Sequence, residues 1–175
     1  HCNLGVVQQE LGRLEEAFAN CRMALTIEPQ LAEAHNNLGK VLKDLGRLDE
    51  AAASCQKAVE IKPDFAEAHY NLGNTFIRME VFDKAIASYQ KALAIKPNDA
   101  RIHNDLGAAF QNLGQPEEAI ASYREALSIK PDYVQAGRNL LCAFLYLPEP
   151  SPGELFNKNS RFFENHAREI SPLEE

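Results

Sequence analysis

Residues 66–99 read AEAHYNLGNTFIRMEVFDKAIASYQKALAIKPND, and the landmarks in this stretch return every 34 positions along the 175-residue chain. Leu4-Gly5, Leu38-Gly39, Leu72-Gly73 and Leu106-Gly107 are in register, as are Ala17, Ala51, Ala85 and Ala119. So are Ala24, Ala58, Ala92 and Ala126, and so are Pro29, Pro63, Pro97 and Pro131. Within the quoted unit, Leu72, Phe76 and Met79 fall at helical spacing, and Phe82, Ile86, Tyr89 and Leu93 do so again. Gly73 and Ala92 are small where two helices must approach closely. Pro97 cannot continue the second helix and biases Lys96 away from the helical region. A pair of helices this short cannot bury its apolar side alone, so neighbouring pairs must stack on it.

The period, with Leu-Gly, Ala, Ala and Pro at these offsets, resembles the tetratricopeptide repeat over residues 1–133. The resemblance implies an all-α, right-handed superhelical solenoid of antiparallel helix pairs. The units are expected at 1–31 (partial), 32–65, 66–99 and 100–133, with a fifth first helix over 134–146. In the first unit the helices are expected at 1–11 and 14–27, with Gly12 at the turn. His1 holds the register of His35, His69 and His103, so the chain opens inside a unit and reads as a piece of a longer protein. Asp64 and Glu67 have the spacing of a capping box for the next helix. Glu80 stands where the other units carry a turn glycine, which predicts a turn under modest strain. Pro116 suits a first helical position.

Beyond Asp132 the pattern changes. Pro148, Pro150 and Pro152 make an extended break over 147–152. Ser151-Pro152-Gly153-Glu154 then reads as a helix start, giving a C-terminal capping helix and tail over 153–175. The stretch RNLLCAFLYLPEPSPGELFNKNSRFFENHARE resembles the junction between repeats and catalytic lobes in bacterial relatives of protein O-linked N-acetylglucosamine transferases (SPINDLY-type proteins). Asn139-Leu140-Leu141, Tyr146-Leu147-Pro148 and Ser151 to Phe156 carry the match. The resemblance implies a glycosyltransferase domain following residue 175.

Composition narrows the function. Net charge is −7, and no segment is basic. Nucleic acid needs a positive footprint, so the RNA-reading helical repeats are set aside. No apolar run approaches the ~18 residues of a membrane span. Cys21 and Cys55 fall in the slot that Tyr89 and Tyr123 hold later, a core position of the second helix. Equivalent helices of adjacent repeats sit about 10 Å apart, beyond the ~7 Å between Cα atoms that a disulfide tolerates. With Cys2 and Cys142 they read as free thiols in a reducing, cytoplasmic compartment.

No cofactor or metal is expected. His1, His35, His69 and His103 lie about one repeat apart, ~10 Å, whereas zinc–nitrogen bonds are ~2.0 Å. No nucleophile elbow, phosphate loop or metalloprotease motif is present, so the fragment itself is not expected to be an enzyme. The acidic pairs Glu15-Glu16, Asp49-Glu50 and Glu117-Glu118 open second helices, where the helix dipole favours them.

The binding signal is a row of amides. Asn3, Asn37, Asn71, Asp105 and Asn139 recur one per unit, each beside a core leucine. Asn costs ~0.5 kcal/mol against Ala in a helix, so repeating it asks for a reason. An amide can donate and accept, and so can pair with the backbone of an extended peptide whatever its sequence. First helices of such repeats line the concave side, and the row resembles the asparagine ladder of the O-linked N-acetylglucosamine transferases. Lys40, Asn74 and Gln111 are companions on the same side. A clamp for an acidic chaperone C-terminus would use Asn36, Lys40, Asn71, Arg101 and Asp105. Only Asn71 fits it in kind and place, Arg101 stands in, and Asp105 would repel a carboxylate. The expected partner is therefore a protein or extended peptide, not nucleic acid or membrane. The expected role is the recognition arm of a transferase-like protein, or alternatively a free-standing adaptor for multiprotein assembly. The apolar N-terminal end predicts self-association.

Overall fold

The computed structural model describes residues 2–145, and side chains from residue 12 onward. These residues form eight α-helices and no strand: α1 Cys2–Ile27, α2 Ala32–Asp44, α3 Leu48–Ile61, α4 Ala66–Arg78, α5 Phe82–Ile95, α6 Ala100–Asn112, α7 Pro116–Ile129 and α8 Val134–Phe144. The extended break and the capping helix expected over 147–175 lie outside the described residues. The chain divides into two compact units, residues 1–98 with α1–α5 and residues 99–175 with α6–α8.

In the first unit α2 pairs with α3 and α4 with α5, and α4 also packs on α3 and α2. In the second, α6 pairs with α7, and α8 packs on α7 and α6. The small residues set how closely each pair approaches. A Cβ added at Gly73 would lie 2.5 Å from Tyr89 Cε1, and one at Gly107 would lie 2.6 Å from Tyr123 Cε1. At Gly39 it would collide with Cys55 Sγ. Ala51, Cys55, Ala58, Ala85, Ala92, Ala119 and Ala126 are all 0% exposed, so the repeated alanines are the contact rows of the second helices. The core of the second unit gathers Ala119, Ile120, Tyr123, Leu140, Ala143 and Phe144.

Helices end where the sequence makes them end. α3, α5 and α7 end at Ile61, Ile95 and Ile129, two residues before Pro63, Pro97 and Pro131, and the intervening Lys62, Lys96 and Lys130 have φ −132°, −126° and −133°. The residue before proline is pushed out of the helical basin. Three hairpin turns share one geometry. Gly46 and Gly114 have φ +78°, and Glu80 has φ +59°. In each, the next residue's N–H reaches back to the carbonyl of Leu42, Phe76 or Phe110 at 2.9 Å. This is the left-handed helix stop that glycine adopts freely and other residues adopt under strain. Glu80 therefore carries the strain its position predicted. Pro116 opens α7 as expected.

Two expectations fail. The capping box of Asp64 and Glu67 does not form: α4 begins after Phe65, with no side-chain cap. The turn after Pro63 uses backbone bonds, Phe65 N–H to Lys62 O at 3.1 Å and Ala66 N–H to Asp64 O at 3.2 Å, which moves the helix start one residue past the box. A side-chain cap appears instead at Asp99, whose carboxylate accepts from Arg101 N–H at 3.1 Å.

The second failure is larger. The first unit is not a helix pair, because α1 runs unbroken through Gly12. Nothing between Leu11 and Leu14 forbids a helix. One interior glycine costs about 1 kcal/mol relative to alanine, and continuing the helix keeps its backbone bonds. Ala17, Cys21 and Ala24 are consequently only half-buried, where their counterparts Ala51, Cys55 and Ala58 are sealed.

Candidate functional site

The amide row sits on the first helices, and the structure sorts its members. In the first unit Asn37 and Lys40 on α2 are exposed. Asn71 on α4, expected to face a peptide, is instead buried: it is 6% exposed, and its Nδ2 donates to Asn36 Oδ1 at 2.9 Å. Asn36 is itself 2% exposed. The 35-residue offset makes this a tie between successive first helices. A buried amide left without its partner costs about 1–3 kcal/mol, which is reason enough for the pair. The second unit repeats the device. Asn139 Nδ2 donates to Asn104 Oδ1 at 3.0 Å, while Asn139 Oδ1 accepts from Gln135 at 3.0 Å. Asn104 in turn donates to Asp105 at 3.0 Å. Asn139 and Asp105 are half-buried. The side chain of Asn3 is outside the described residues.

Asn74 and Gln111 are held differently. Tyr89 Oη donates to Asn74 Oδ1 at 2.7 Å, and Tyr123 Oη donates to Gln111 Oε1 at 3.0 Å. Each phenol engages the carbonyl end of its amide, which fixes the flip and leaves the amino end as donor. The two tyrosines occupy the same slot, yet their partners lie one helical turn apart in register, at 74 and 111. Burial raises the Tyr123 phenol above its ordinary pKa, with Asp105 and Cys142 adding to it, so it stays a donor at neutral pH.

Asn36 and Asn104 were missed as parts of the row. Their signal was the doublets Asn36-Asn37 and Asn104-Asp105, in which one residue faces the neighbouring first helix and the next faces outward. Tyr70 fills that inner slot in the third copy.

His35 and His69 hold the turns that precede their helices. His35 Nε2 bonds Pro29 O, and His69 Nε2 bonds Pro63 O, each at 3.0 Å. A carbonyl only accepts, so Nε2 carries the proton. Among the described residues no three His, Cys, Asp or Glu groups gather to hold a metal ion. Cys21, Cys55 and Cys142 are free thiols. Burial pushes the Cys55 thiol up to about 12, which makes it a poor nucleophile. No described helix is long and apolar enough to cross a membrane. Clefts open elsewhere, among them one of about 550 Å³ beside Phe18, Leu38 and Leu42, one of about 450 Å³ beside Val59, Pro63 and Ile95, and one of about 270 Å³ beside Phe76 and Lys84. None of these is lined by the amide row.

The helix pairs, the glycine contacts and the amide ties are those of a helical-repeat binding protein. The comparisons agree: a family described as TPR repeat matches residues 9–46 and 39–80, and one described as tetratricopeptide repeat matches residues 64–132. The chain belongs to the tetratricopeptide-repeat family. Solved structures of MamA share its fold. One is 25% identical, covering 99% of this chain and 95% of that one with a TM-score of 0.79. A second is 26% identical, covering 92% and 95% with a TM-score of 0.78. MamA 41-end from Desulfovibrio magneticus RS-1, 21% identical over 95% and 94% with a TM-score of 0.78, shows the fold alone. No curated protein matches the chain.

Proposed function

We propose that the chain holds an extended polypeptide against the first-helix face of α2 and α4. The observation that carries this is the state of Asn74: Tyr89 fixes its carbonyl end, so its amino group is a pre-set donor. Exposed Asn37 and Lys40 on α2 add an amide and a cation on first-helix positions. Such groups suit the carbonyls of an extended backbone and an occasional acidic side chain. Asn71 supports this face through Asn36.

Peptides selected from a random library, with affinity read by fluorescence anisotropy, test the assignment. The double variant Asn37→Ala, Lys40→Ala should bind them about tenfold more weakly, equivalent to ~1.4 kcal/mol. Unchanged affinity would count against this face.

Residues 138–169 favour service as the recognition arm of an O-linked N-acetylglucosamine transferase-like protein, through the junction they resemble. The second reading is a free-standing adaptor for multiprotein assembly, on the same repeat fold that the MamA structures share. Copies of the chain also associate with one another through the first repeat, where Met23 and Ile27 are 64% and 84% exposed.

A further inference from the structure

We infer that the groove between α3 and α5 is a second docking surface, separate from the amide row. Its occupant is an amphipathic helix of a partner protein, with acidic residues along one edge of its apolar stripe.

The repeat builds the groove. Two second helices make its walls, and the first helix between them makes its floor. Leu38, Leu42 and Glu50 line the opening beside α1, and 34 residues on, Leu72, Phe76 and Lys84 line the next. That second opening, of about 270 Å³, shares Gln56, Val59, His69 and Lys91 with the neighbouring one of about 450 Å³, so the two form a single groove. Along α5 it runs from Lys84 to Ile95, about 16 Å at 1.5 Å per residue.

The lining sets the shape of what fits. Val59, Leu72, Phe76 and Ile95 are apolar. Ala87 and Ala94 on the α5 wall are exposed and one heptad apart. Small residues there let another backbone come as close as packed helices do, about 8–10 Å between axes. A helix laid in such a groove puts its i, i+3, i+4 and i+7 side chains onto the floor.

Charge sets its chemistry. The chain carries a net charge of −7, yet this wall is basic. Lys84 and Lys91 are both exposed, and seven residues place them about 10 Å apart along the axis. In the preceding copy the same two positions are Glu50 and Lys57, and each is already neutralised. Glu50 pairs with Arg47 at 2.6 Å, and Lys57 with Glu60 at 3.4 Å. Among the described residues Lys84 and Lys91 make no ion pair; Lys84 Nζ stands 5.6 Å from the centre of the Phe76 ring. Two carboxylates seven apart on a partner helix would meet both ammonium groups. The α3 wall offers Gln56 and the already paired Glu60, so the acidic edge belongs against α5.

His69 adds a polar point among the apolar residues. It lines both openings and is 7% exposed. Its Nε2 is engaged by Pro63 O, and its Nδ1 is buried with no hydrogen-bond partner. An acceptor left in that state costs free energy, and a hydroxyl or amide within the partner's stripe would supply the donor.

A displayed library of helix-forming peptides, selected on the whole chain and counter-selected on the double variant Lys84→Glu, Lys91→Glu, tests the inference. Both lysines are exposed, so the variant keeps its fold, which circular dichroism checks. The enriched peptides should share an apolar stripe with Asp or Glu seven apart on one edge. Their affinity should fall about tenfold on Lys84→Ser, Lys91→Ser, weaken with added salt, and stay unchanged on Asn37→Ala, Lys40→Ala. No enrichment over the variant, or enriched peptides without the acidic pair, would overturn the inference. Peptides that lose affinity on Asn37→Ala, Lys40→Ala but not on the lysine variants would overturn this groove and spare the face of α2 and α4.

Discussion

The first copy and the third copy carry the same landmarks and make different structures. Residues 66–95 fold into a closed pair in which Gly73 lies against Tyr89, and Tyr89 is 1% exposed. Residues 2–27 carry Leu-Gly, Ala and Ala at the same offsets and form one helix. Both turns are imperfect, so the turn residue does not decide the matter. Glu80 turns with a positive φ although it is not glycine, and Gly12 continues the helix although it is. Packing decides. α4 packs on α3 and α2 as well as on α5, whereas α1 packs on α2. A period in the sequence thus marks the surfaces that can pair, and neighbours determine whether they pair within the chain.

The comparison breaks most visibly at the paired slot itself. Tyr89→Ala should cost about 3–5 kcal/mol in urea unfolding, by the cavity it leaves, whereas half-buried Cys21→Ala should cost well under 1 kcal/mol if its slot stands open. Equal losses would mean that the first copy is closed. Asn71→Ala strands Asn36 in the core and should cost about 1–3 kcal/mol. Asn37→Ala, on the exposed side of the same row, should leave stability unchanged. Glu80→Gly relieves a left-handed residue and should stabilise the third copy by about 1 kcal/mol; the corresponding test on the first copy, Gly12→Ala, should favour the continuous helix by a similar amount.

The smallest effect belongs to Asp99. Burial would raise its carboxyl, but the hydrogen bonds and charge of Arg101, with the backbone N–H groups of Arg101 and Ile102, hold it below its ordinary value. A lowered pKa in the folded state means a contribution present above the unfolded-state value, near pH 4, and lost as pH falls through the folded one. Thermal melts of wild type and Asp99→Asn should therefore converge as pH drops below that range and differ above it.

Much of the fold was legible because it is written in repeats. Leu-Gly, the two alanines and the proline each mark a contact or a stop, and four copies make each readable. Gly12 was misread because an identical residue takes two conformations, and the choice lies in what packs around it. The Asp64 box was misread because backbone bonds in the turn after Pro63 shift the helix start. In the site, the row of amides was visible but its division of labour was not. Asn37 and Asn71 are equivalent by period, yet one is exposed and the other tied to Asn36. That difference depends on which residue stands 35 positions earlier, a relation between helices that no single unit displays. The ties from Tyr89 and Tyr123 were hidden for a similar reason, since the partner shifts by a turn between copies.

We propose the first-helix face of α2 and α4 as the seat of a bound polypeptide. Side-chain amide NMR resonances, followed while a selected peptide is titrated in, address it most directly. The NH2 signals of Asn37 and Asn74 should shift to saturation with the peptide, while those of Asn36 and Asn71 move little. Saturating shifts confined to α3 and α5, with Asn37 and Asn74 unmoved, would contradict it.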